Sequence, residues 1–179
     1  MIHRMKTGGR RGGSGRLVLM RHAKSDRSDP DAPDFDRPLT KRGRGAIAPM
    51  AKWLRKQGIA TDRIVSSPAV RARETALLLA RELGVKKSEI AWEEDIYDAD
   101  LQTLLRVVRG RTEQSLLLVG HNPGFDDLLC HLSHEPPPRD DEGKLLTTAA
   151  VAVLDFDGPI DTGAGSAQLT ALKRPKDPD

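Results

Sequence analysis

The chain predicts an α/β fold, a three-layer α/β/α sandwich around a mostly parallel central sheet. Three observations carry this reading. Apolar runs of strand length recur at residues 17–20, 63–66 and 116–120. Stretches with helical apolar spacing alternate with them, joined by short connections. At 179 residues the chain suits one domain that buries a sizeable core without disulfides.

Taken in order, Leu17, Val18, Leu19 and Met20 form a buried strand that stops at Arg21 and His22. Thr40 caps a helix over 41–57 whose Ile47, Met50, Ala51 and Leu54 share one face, and Gly58 ends it. Arg63, Ile64, Val65 and Ser66 make the next strand. Ser67 then reads as an N-cap and Pro68 as the first residue of a helix running to Leu83 and stopped by Gly84. That places Arg71 in its first turn. Residues 88–92 form a short strand, and Leu101, Leu104, Leu105 and Val108 mark a helix closed by Gly110. Leu116, Leu117, Leu118 and Val119 give a strand that ends in Gly120 and His121. A helix follows Pro123, with Asp126 and Asp127 in its first turn, where the dipole favours them. Residues 133–143 read as a surface loop, and 151–156 and 168–172 as late strands joined by 157–165.

The net charge of +3 is set by the amino terminus. Arg4, Lys6, Arg10, Arg11 and Arg16 stand there without an acid, and removing them leaves 24 basic against 26 acidic residues. Residues 1–16 read as a disordered, Gly-rich basic tail and 17–179 as one domain. No aromatics interleave the tail's charges for base stacking, so no nucleic-acid partner is expected. The tail also lacks the apolar face of a mitochondrial address. Cys130 is the only cysteine, which fits a reducing cytoplasm, and it reads as a small core hydrophobe. No run reaches membrane-spanning length.

Two histidines and two arginines each follow a predicted strand: Arg21 and His22, Arg71, and His121. Parallel strands would bring all four to one carboxyl-edge rim, where open α/β sheets bind ligands. Histidine is a capable nucleophile, guanidinium suits phosphate oxygens, and helix amino termini attract phosphate. Arg-His after a single strand is more often a solvated loop; the repetition argues for phosphoryl chemistry.

At 17–26, 36–44, 64–76 and 116–129 the chain resembles the histidine phosphatase superfamily (phosphoglycerate mutase-like), most of all its short SixA-type phosphohistidine phosphatase branch. Ala23 stands where the wider superfamily commonly has glycine. The resemblance implies that His22 accepts the phosphoryl group and yields it to water, while Arg21, Arg71 and His121 hold its oxygens. It calls for no metal and no cofactor. Arg37 has two readings, a fifth phosphate contact or a salt bridge that fixes its loop. Arg73 is expected to turn away from Arg71.

Superfamily members that act on phosphate esters place a glutamate after the Arg-bearing helix. Here Glu93, Glu94 and Asp95 lie in that region and Asp26 beside the nucleophile; the general acid is one of these or none. A weak acid suits phosphohistidine, because imidazole leaves readily once neutral, its pKa being about 6.5. No inserted segment roofs the pocket between Glu74 and Gly120. The expected substrate is therefore phosphohistidine on a protein partner in bacterial signalling. The alternatives are a small phosphorylated metabolite handled by a broad phosphatase, or phosphate recognition without turnover, which would not need His22. Asp155 and Asp157 resemble the first motif of haloacid-dehalogenase-type phosphatases, but too little chain follows to build that fold. Asp126, Asp127, Cys130, His131 and His134 lie close together without zinc-ligand spacing.

Overall fold

The computed structural model describes residues 14–177. Six strands form one sheet, β1 (Arg16–Arg21), β2 (Arg63–Ser66), β3 (Ile90–Trp92), β4 (Ser115–Gly120), β5 (Val151–Asp155) and β6 (Gln168–Lys173), in the order β3-β2-β4-β1-β5-β6. The first four run parallel; β5 is antiparallel to β1 and β6 to β5. The late strands are thus the antiparallel part of a mostly parallel sheet.

Alternation along β1 splits the core. Leu17 and Leu19 face one layer, which holds α4 (Leu101–Arg109) and α5 (Gly124–Leu132). Val18 and Met20 face the other, with α2 (Ile47–Lys56) and α3 (Val70–Leu83). β1 and β4 bury both faces, as a central parallel pair must.

The expected helix over 41–57 is two helices, α1 (Lys41–Gly45) and α2. Thr40 does cap the first, its hydroxyl accepting from the Gly43 N–H. Pro49 has no N–H for the Gly45 carbonyl, so one continuous ladder is impossible. Gly43 also lies where a Cβ would stand 2.2 Å from the Lys24 carbonyl oxygen, so its absent side chain lets α1 seat against the loop after His22. Gly84 ends α3 in the left-handed region, φ 75°.

Three expectations need correction. Ser67 does not cap α3: the N-cap is Ala69, still extended at φ −53°, ψ 137°, and Pro68 precedes the helix. The Ser67 N–H instead bonds the Val119 carbonyl at 3.0 Å, which prolongs the sheet by one residue. Cys130 is exposed, not in the core, because it lies off the α5 stripe of Leu128, Leu129 and Leu132. Gly15 and Arg16 are not tail: Gly15 N–H bonds the Gly158 carbonyl, and Arg16 opens β1 and forks onto Asp155 at 2.6 and 3.0 Å. Ser14 is exposed and belongs to no element, and the rest of the expected tail, 1–13, lies outside the described residues.

Candidate active site

Register alone aligns the candidate residues. Arg21 stands opposite Gly120 and Ser66 opposite Val119, so the carboxyl ends of β1, β2 and β4 finish level. The His22 N–H continues the ladder onto the Gly120 carbonyl at 2.9 Å. His22 and His121 then sit side by side, ring centroids 5.1 Å apart. Thr75, one turn beyond Arg71, ties helix to strand. Its hydroxyl donates to the Arg71 carbonyl at 2.7 Å and accepts from the Ala23 N–H at 3.1 Å.

The rings' tautomers follow from their partners. His22 Nδ1 lies 2.8 Å from the Ala23 carbonyl, which can only accept, so Nδ1 carries the hydrogen. Nε2 keeps its lone pair, which accepts from the Arg71 Nε–H at 3.3 Å. Burial first, then the charges of Arg71, Arg21 and Arg37, push His22 down to about 4. His121 falls to about 3 through burial, His22 and Arg71. Both rings are neutral at pH 7. His121 Nε2 meets the Ser67 hydroxyl at 2.8 Å, while its buried Nδ1 has no partner among the described residues. Arg21 donates through Nη1 to the Leu146 carbonyl at 2.9 Å, and its Nε has no partner among the described residues.

Arg71 is committed at both ends. Its Nη1 bonds the Asp34 carbonyl at 2.5 Å and its Nη2 the Asp34 carboxylate at 2.9 Å. Arg37 pairs with the same carboxylate, and its charge reaches His22. Tyr97, the only tyrosine of the chain, donates to Asp34 at 3.0 Å and packs edge-on to His121, centroids 5.6 Å apart.

Asp34 and Tyr97 are the residues that sequence reasoning missed. Asp34 lies in a loop without periodicity, and the only sequence signal near Tyr97 was the acidic run at 93–95. None of the four expected acids is bonded to the cluster. Asp26 accepts from the Ser28 N–H, Glu93 pairs with Arg111 at 2.8 Å, and Glu94 and Asp95 are exposed. Arg73 does turn away, onto the Trp92 ring at 5.0 Å.

The other candidate constellations lie elsewhere. Asp155 holds Arg16 at the opposite edge of the sheet, because β5 runs antiparallel. Asp126 accepts from the Leu146 N–H, and His131 Nε2 meets the Thr162 carbonyl at 3.0 Å. Among the described residues no three His, Cys, Asp or Glu side chains converge on a metal-sized site.

The neutral rings carry a pH prediction. Both histidines bind protons more weakly folded than unfolded, so the unfolded chain takes up more protons between 6.5 and about 4. Their contribution to stability is whole above 6.5 and is lost as the pH falls toward 4. Nitrogen NMR near about pH 5.5 should therefore still show neutral His22 and His121, with His22 protonated on Nδ1. A charged ring there would contradict the geometry.

A model of the histidine phosphatase superfamily (branch 1) matches residues 17–103. An uncharacterised protein of Mycobacterium leprae is 31% identical over 88% of this chain and all of its own length. The phosphohistidine phosphatase SixA of Escherichia coli is 28% identical over 79% of this chain and 85% of its own. A solved chain from Agrobacterium tumefaciens, provisionally assigned as SixA, superposes at TM-score 0.73 with 28% identity, over 89% of this chain and 97% of that one. The chain belongs to the histidine phosphatase superfamily, and the likeness supports a phosphatase that works through a phosphohistidine intermediate. Within it the chain falls in the SixA-type branch. No helix among the described residues is long and apolar enough to cross a membrane.

Proposed function

We propose that this protein removes phosphate from phosphohistidine on a protein partner, in the cytoplasm and without a metal. His22 Nε2 attacks phosphorus in line. Arg21, Arg71 and the Nδ1–H of His121 hold the nonbridging oxygens. For Nδ1 to donate, Nε2 of His121 must accept from the Ser67 hydroxyl, the partner it has. Three guanidiniums around two neutral imidazoles supply the positive field that a transferring phosphoryl group meets. Arg37 contributes to that field across its pair with Asp34.

The observation that carries the substrate reading is the mouth of the pocket. The four residues are flanked by the loop carrying Asp34 and Phe35, the segment carrying Tyr97 and the loop whose Leu146 carbonyl accepts from Arg21 and Asn122. Asp34 is 52% exposed in its side chain, and Phe35 is the most exposed large apolar residue described. A histidine on a folded surface can reach such a site without a roof to open.

The test compares turnover of a phosphohistidine protein, a phosphoserine peptide and an aryl phosphate, each with and without chelator. Preferential loss of phosphohistidine, indifferent to chelator, is the expected result. Equal turnover of all three would make the protein a broad phosphatase, and binding without turnover a recognition module.

A further inference from the structure

We propose that Asp34 is the proton donor to the leaving group and that the substrate itself loads it. The phosphoryl group and Asp34 share one guanidinium, and the carboxylate takes up a proton when the second anion arrives. The inference rests on the phosphatase reading, but it assigns a residue that neither the sequence nor the family resemblance singled out.

The geometry is that of a bridge. Arg71 reaches toward the nucleophile with Nε, 3.3 Å from His22 Nε2, and toward Asp34 with Nη1 and Nη2, at 2.5 and 2.9 Å. A phosphorus in line with His22 Nε2 has its leaving group on the side away from that ring, toward the mouth. Asp34 lies at that outer end. Its side chain is 52% exposed, against 8% for the whole His22 residue. No other candidate acid has a hydrogen bond or ion pair to Arg21, His22, Arg71 or His121 among the described residues.

The groups that face Asp34 come from three elements. Arg37 and Phe35 belong to its own turn, Arg71 to α3, and Tyr97 to the segment after β3. His121, beyond Tyr97, is neutral. Partial burial works to raise the carboxyl, but the Tyr97 hydroxyl, Arg71 and Arg37 outweigh it and hold Asp34 below the ordinary range. At rest it is an anion and has no proton to give. A phosphoryl dianion placed on the same guanidinium reverses that balance, as when two carboxylates share a site and one keeps its proton.

The steps then balance. The His22 Nε2 lone pair forms the P–N bond. The bond from phosphorus to the leaving atom breaks, its electron pair stays with that atom, and the atom takes the Asp34 proton. Asp34, again a carboxylate, accepts a proton from the water that attacks phospho-His22. The P–N bond breaks and its pair returns to Nε2. Phosphate departs, and Asp34 releases its proton to solvent.

Sulfate tests the loading step without any substrate, since it carries two charges and no proton at neutral pH. Calorimetry in two buffers of different ionisation heat should show roughly one proton taken up per sulfate bound by the parent, and almost none by Asp34→Asn. Binding with equal uptake in both proteins overturns the proposal and leaves the phosphatase reading standing. Failure of sulfate to bind overturns both. In turnover, Asp34→Asn should lose at least ~10-fold more activity on a phosphoserine peptide than on nitrophenyl phosphate, whose leaving group is stable as an anion. Asp34→Glu should restore part of that difference. Equal losses on the two substrates would mean that Asp34 merely holds Arg71, and the proposal fails.

Discussion

Quenching turnover without acid should trap phosphate on His22 as an alkali-stable, acid-labile adduct, and His22→Ala should abolish both label and activity. The expected loss is on the order of 10⁴-fold or more, because removing a nucleophile leaves only binding and electrostatics to act. No neighbour can substitute. His121 points Nε2 at Ser67, and Asp34 is held on two arginines. The fold should survive: the variant forfeits two side-chain hydrogen bonds, to the Ala23 carbonyl and from Arg71, each worth about 1 kcal/mol. Thermal unfolding checks this. Label on an aspartate, or full label in His22→Ala, would sink the assignment.

The parts of this site that were legible in the sequence are those fixed by local rules. Strands β1 and β4 are uninterrupted apolar runs, and a parallel sheet must bring their carboxyl ends together, so His22 and His121 could be paired from 99 residues apart. Arg71 could be placed because Gly84 bounds its helix on one side and β2 on the other. Ser67 shows where local rules fail. Its composition reads as a cap, yet a ladder bond to Val119 keeps it in the sheet and frees its hydroxyl for His121. That bond depends on Val119, 52 residues away, which no local window contains.

Asp34 lies beyond such reasoning for a related reason. Its loop has no periodicity, and what fixes it are tertiary contacts. The Leu39 N–H bonds Glu74 at 3.0 Å, Arg44 holds the same carboxylate, and Phe35 meets Tyr97 edge-on at 5.0 Å. The acids that composition did single out, residues 93–95, belong to a turn whose one buried side chain is Ile96. That turn spends its charge on Arg111 and solvent. An acidic run marked the right loop for Tyr97 and the wrong one for the acid.

Arg71→Ala should weaken vanadate or inorganic phosphate binding and lower turnover together, since on the proposed mechanism the guanidinium meets the phosphoryl group in ground and transition states alike. His121→Ala should act chiefly on turnover, with a loss of about 10²–10³, the cost of removing one preorganised donor to developing charge. On the proposed mechanism the two variants differ because Arg71 is a permanent charge, whereas His121 is a neutral ring whose Nδ1 would gain a partner from phosphate. Arg71→Lys should recover part of the binding and little of the turnover. An ammonium restores charge but cannot span from His22 to Asp34 as a planar fork does. Phosphate affinity and turnover measured side by side on the three variants separate these effects. Near-parental activity in His121→Ala, with Arg71→Lys indistinguishable from the parent, would show that these side chains do not form the phosphoryl pocket.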